Sequence, residues 1–163
     1  MYKNLEYGDV IGVKRFLYSH YAVYVGENKV IHYAGEKGDF KGTKRVRYGT
    51  MKDFLCGKKE FFELVFQNVH LKPLKEKRYE TQNTEYFLYS PEETVERAKS
   101  RLGETKYNLA LNNCEHFAIW CKTGISESYQ VKAVLKNFVE IVRTGEADGF
   151  GNLVYGCVGG EKE

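Results

Sequence analysis

Proline is scarce: the 163 residues contain two, Pro73 and Pro91, so few positions are barred from regular structure. Cysteine is sparse as well. Its four copies, at 56, 114, 121 and 157, form no CxxC pair and no dense framework. That excludes a disulfide scaffold and the short-spaced zinc folds. In a chain of this size the cysteines read as mostly reduced thiols of a cytosol-like compartment. No stretch approaches the ~18 consecutive apolar residues of a membrane span, and Met1 to Asp9 holds no apolar leader core. A net charge of +3 is too mild for nucleic acid, although it tolerates an anionic membrane surface. What the chain does have is apolar mass, 42% of its residues, with 15% aromatics. The expectation is a cytoplasmic globular domain with one core, soluble or peripheral to membrane.

The first half is β-rich. Asp9 to Val13, His20 to Val25 and Lys29 to Tyr33 read as strands, the last two as a hairpin closed by Gly26, Glu27 and Asn28. Arg45 to Tyr48 and Glu60 to Phe66 add further strands, and Thr50 caps a short helix to Leu55 with Asp53 at its third position. Asn68 to Ser90 is a polar stretch bearing Lys72, Lys75, Lys77 and Arg78 and reads as solvated loop, with a lipid-facing basic edge as the functional alternative. Ser90, Pro91 and Glu93 then open a helix stopped by Gly103. A second helix runs from Asn112 or Asn113 to Gly124. A third is expected over about 128–143, where Val131, Val134, Leu135, Phe138 and Val142 share a helical face. Strands first and helices after make an α+β domain over 1–145, followed by a glycine-rich tail, 146–163.

Cys114 follows Asn112-Asn113 at the expected start of the second helix. Backbone N–H groups and the positive end of the helix dipole gather there. Both favour a thiolate, the nucleophilic form, and suggest alkylation below the ~8.5 midpoint of a free thiol. The same N–H groups can bind an oxyanion. A lone cysteine is ordinarily a packing residue, so a base must be found. His116 is turned ~200° from Cys114 on the helix and reads as structural. Cys121 shares the Cys114 face and reads as core, while His70 has no identifiable partner. His20 and His32 remain. A two-residue turn at Glu27-Asn28 would send them to opposite faces. A three-residue loop pairs Val25 with Lys29 and sets Ala22 opposite His32, placing both imidazoles on one face within ~7–8 Å. One can then take the thiol proton while the other fixes its tautomer. The set His20, His32 and Cys114 matches no short zinc motif, and neither a metal nor another cofactor is expected.

Two blocks of residues carry a family likeness. Gly8-Asp9-Val10-Ile11, His20 to Gly26 and Val30-Ile31-His32-Tyr33 resemble the first block of the lecithin:retinol acyltransferase-like family, and Asn113 to Ala118 resembles the second. This family includes phospholipase A/acyltransferases. The resemblance implies a circularly permuted papain-like, cell-wall peptidase-like fold, its antiparallel sheet and N-terminal hairpin packed on the helix that carries the nucleophile. It assigns Cys114 as nucleophile, His20 as base and His32 as orienter, with Tyr18 supporting the oxyanion. It further implies a phospholipid or other acyl-ester substrate and an acyl-thioester on the cysteine. The acyl group would pass to water, an amine or an alcohol. Many animal members end in a hydrophobic anchor, and Gly156 to Glu163 contains none, so a soluble type or an omitted anchor is expected. A cysteine amidase or peptidase with the same triad, and a catalytically idle binding module, stand as alternatives.

Overall fold

The computed structural model describes residues 2, 5–39, 41–66, 88–108, 112–127, 131 and 138–144. The lysine-rich middle segment and the glycine-rich tail discussed above lie almost wholly outside these residues.

The strands β1 (Val10–Lys14), β2 (Ser19–Tyr24), β3 (Lys29–Ala34) and β4 (Arg45–Thr50) form an antiparallel meander. Strand β5 (Glu60–Phe66) returns to pair with β1, and β6 (Phe138–Thr144) pairs with β5, giving the order β4-β3-β2-β1-β5-β6. The β2–β3 hairpin closes through a three-residue loop. Gly26, Glu27 and Asn28 all adopt positive φ, Val25 and Lys29 face each other through the Val25 N–H and Lys29 carbonyl, and Ala22 opposes His32.

Among the described residues three named helices cover the sheet. Helix α1 (Met51–Leu55) starts at Thr50, whose hydroxyl and the Asp53 carboxylate complete a capping box. Helix α2 (Pro91–Ser100) has the same device, built from Ser90 and Glu93, with proline in its first turn. Helix α3 (Cys114–Thr123) is capped by Asn113 and ends on Gly124 in the left-handed region. Alternation along the strands sorts the core into two faces. Val10, Tyr21, Val23, Ile31 and Phe62 pack with Val95 and Ala98 of α2 and with Cys114, Phe117 and Cys121 of α3. Ile11, Val13, Ala22, Tyr24 and Val30 pack with Met51, Phe54 and Leu55 of α1.

Two expectations are corrected. The third helix does not reach Arg143: Phe138–Thr144 is a strand, in register with β5 from Glu60↔Thr144 to Phe66↔Phe138. Val139, Ile141, Val142 and Thr144 are β-branched, and pairing satisfies the backbone groups along the outer edge of β5. A helical pattern in the side chains yields to that demand; residues 132–137 lie outside the described set. Cys56 is disulfide-bonded, contrary to the reading of mostly reduced thiols, while Cys114 and Cys121 are free. Among the described residues no helix is long and apolar enough to cross a membrane.

Candidate active site

β2 and β3 part company beyond Ala22 and His32. Their pairing covers only Ala22↔His32 to Tyr24↔Val30, whereas β3 stays paired with β4 as far as Ala34. By the alternation of the ladder, the Ser19 carbonyl and the Tyr21 amide point toward the side that β3 has vacated. Cys114 fills that opening. Its thiol donates to the Ser19 carbonyl oxygen at 3.9 Å, and the Tyr21 amide is among the groups that favour its thiolate. The sulfur therefore lies against the backbone on both sides of His20. Asn113 fixes the helix start behind it, its side-chain oxygen accepting the N–H groups of Glu115 and His116.

On the α1 face His20 and His32 meet. His20 Nε2 and His32 Nδ1 are 2.9 Å apart, and the Phe54 ring lies 5.5 Å from the His20 ring between centroids. Both imidazoles are buried. Space for His32 depends on Gly49 of β4, because a Cβ there would stand 2.7 Å from His32 Nε2.

Two groups that the sequence reading did not single out complete the constellation. Asp39, buried in the β3–β4 connection, lies with Oδ1 3.6 Å from His20 Nε2. That is long for a hydrogen bond but close for a charge. Buried Arg15 holds the carboxylate in a fork, Nε to Oδ2 at 2.8 Å and Nη2 to Oδ1 at 3.4 Å. Its remaining donors reach the Phe54 and Leu55 carbonyls at the end of α1. Tyr18 donates its hydroxyl to Asp39 Oδ2 at 2.5 Å. In sequence Asp39 stands among glycines and lysines with no periodicity, and no signal marks it as buried.

Electrostatics give a neutral resting site. Burial lowers His20 to about 4, despite the Asp39 charge, and holds His32 well below the ordinary histidine value. Burial pushes the Cys114 thiol up to about 12, overriding the Tyr21 and Glu115 amides. The expectation of a thiol activated by its helix position is thus reversed in this buried state. Asp39 stays below its usual value: burial would raise it, but His20, Arg15 and Tyr18 together outweigh that. Burial, then the bond to Asp39, raises Tyr18. His116 and Cys121 lie away from this chemistry. His116 Nδ1 is 2.8 Å from Asn113 Oδ1, and Cys121 is wholly buried in the core.

A free cysteine at a helix start, beside a strand that carries one of two paired histidines, is a construction suited to acyl transfer through a thiol. The family model described as lecithin retinol acyltransferase matches residues 3–127, and the chain belongs to that family. Bovine lecithin retinol acyltransferase is 30% identical over 83% of this chain and 62% of its own length. Human phospholipase A and acyltransferase 2 is 30% identical over 76% of this chain and 74% of its own. The human lecithin retinol acyltransferase is 27% identical, and this chain again spans 62% of it. Relatives of this chain are thus named as acyltransferases and as phospholipases, and its antiparallel sheet with covering helices is consistent with their family.

Proposed function

We propose that this protein is a thiol acyltransferase or phospholipase that cleaves an acyl ester, with phospholipid as the substrate class. Cys114 is the nucleophile, His20 the base, His32 its orienter and Tyr18 a donor to the oxyanion. The observation that carries this reading is the 2.9 Å approach of His20 Nε2 to His32 Nδ1. If Nε2 donates that hydrogen bond, Nδ1 of His20 is left as the acceptor for a thiol proton.

In the first half-reaction the Cys114 sulfur attacks the ester carbonyl as its proton passes to His20. The new S–C bond gives a tetrahedral oxyanion, for which the Tyr21 and Glu115 amides beside the sulfur are the available backbone donors. Tyr18 joins them by releasing Asp39. The carbonyl re-forms, the ester C–O bond breaks, and His20 returns the proton to the leaving alkoxide. Water, an amine or an alcohol then attacks the thioester, loses its proton to His20, and the sulfur recovers it. His32 keeps the tautomer, and the Asp39 charge favours the transient imidazolium. A neutral thiol and a neutral imidazole suit this concerted proton transfer better than a standing ion pair.

The test is mass spectrometry after incubation with a diacyl phospholipid. A fatty-acyl mass on Cys114 is expected. Cys114→Ala should carry no adduct, and Cys114→Ala and His20→Ala should each lose essentially all acyl release. Cys121→Ala, a small core truncation, should retain most of it. An adduct only with peptides or amides would make the protein an amidase, and full activity in Cys114→Ala would remove the thioester route.

A further inference from the structure

The turn that joins β1 to β2 presents two apolar side chains to water. Phe16 is 93% exposed and Leu17 85%, far above the other exposed large apolar residues among those described, Tyr7, Tyr48 and Leu102, which range from 39% to 46%. The turn is tight: Lys14 pairs with Ser19, and the Arg15 N–H bonds the Tyr18 carbonyl at 2.8 Å, leaving Phe16 and Leu17 as its two central residues. Two-residue hairpin turns ordinarily use Asn, Asp or Gly at these places. Neither residue adopts the positive φ that would call for special chemistry. Turn formation therefore gives no reason for a Phe-Leu pair, and folding gives none either, since neither side chain joins a core cluster.

The base of the turn is held firmly. Arg15 is locked to Asp39 and to the end of α1, and Tyr18 is bonded to the same carboxylate, which faces His20. The apolar tip is thus a fixed projection only three residues from His20. Lys14, exposed at the foot of the turn, holds its ammonium 4.5 Å from the centre of the Phe62 ring, and Lys44 holds its own 4.2 Å from that of Tyr107.

We propose that Phe16 and Leu17 form a wedge that inserts into a phospholipid surface and brings the opening at Cys114 down onto it. This deepens the acyl-lipid reading and rests on it. A bilayer is the occupant that the shape fits. The tip is convex and offers two side chains, an aromatic one burying about 150–250 Å², against the ~800 Å² per partner of a stable protein interface. An interface of acyl chains beneath phosphate headgroups accepts apolar side chains and a neighbouring lysine together.

The experiment is flotation of the full chain with phosphatidylcholine vesicles and with vesicles also containing phosphatidylserine. It is performed on Cys114→Ala protein so that chemistry does not enter. Phe16→Ser with Leu17→Ser should weaken binding at least ~30-fold, and Leu102→Ser, on a different exposed turn, should leave it within about two-fold. Phosphatidylserine should strengthen binding of the parent protein. Binding of the double variant within about three-fold of the parent, or no binding by the parent, overturns the wedge. So does a double variant that merely turns a dimer into a monomer on gel filtration, which would make a second copy the occupant. Vesicle binding without any acyl mass on native Cys114 would overturn the acyl-transfer reading and leave the wedge standing.

Discussion

At the scale of single residues, Asp39 carries the clearest consequence. Its charge is the largest influence raising the proton affinity of His20 against burial. Asp39→Asn keeps the shape, removes the charge and leaves Arg15 buried without its counter-ion. Acyl release should fall at least ~10-fold at neutral pH, and Asp39→Glu should restore part of it. The discriminating measurement is kcat/KM against pH in folded protein. Loss of the charge should shift the acidic limb as well as lower the plateau, whereas a purely structural role would lower the plateau alone. The imidazole pair itself was legible in the sequence because strand alternation and a three-residue loop fix its register. Asp39 and Arg15 were not, because their burial depends on a connection folding back over the strand ends, which no local pattern encodes.

At the scale of elements, β3 and β4 cooperate at Gly49. The glycine faces the His32 ring so closely that any side chain must displace the imidazole or spread the strands. Gly49→Ala should therefore cost activity about 10-fold or more by misdirecting His32, the proposed orienter, with a smaller loss of stability. Comparing acyl release with the thermal midpoint separates the two effects, and unchanged acyl release would show that His32 does not need its present position. The capped helices were readable because capping is local: Thr50, Ser90 and Asn113 each bond within three residues of themselves. β6 was misread because its hydrophobic spacing suits a helix and only the free edge of β5, more than seventy positions earlier, decides for a strand.

For the whole molecule, the buried histidines set a pH dependence. His20 titrates near 4 in the folded protein but at ~6.5 in an unfolded chain. Between those values the unfolded chain binds more protons, so stability is full above about 6.5 and is lost as pH falls toward 4, by up to ~1.4 kcal/mol per pH unit per group. His32 acts with the same sign. Asp9 acts against it, since burial chiefly raises it to about 6, and its contribution is lost as pH rises through that value. Two imidazoles outweigh one carboxyl. Thermal midpoints should therefore drop from pH 6.5 to 4.5, less steeply in His20→Asn and more steeply in Asp9→Asn. A flat profile in the native protein would mean that the imidazoles take up protons while folded.

Besides its proposed chemistry, the thiol in the gap between β2 and β3 has a structural occupation. It is the donor that the Ser19 carbonyl lacks once β3 has turned away. Esterifying the sulfur removes that donor, so an acyl-enzyme would leave a carbonyl at the seam unmet, at a cost of about 1–3 kcal/mol if water stays out. The resting sheet is mended by the Cys114 thiol, and on the proposed thioester route each turnover would unpick and restitch it. Amide hydrogen exchange should reveal the stitch: alkylating Cys114 should speed exchange at Tyr21 while leaving Val23, deep in the paired ladder, unchanged.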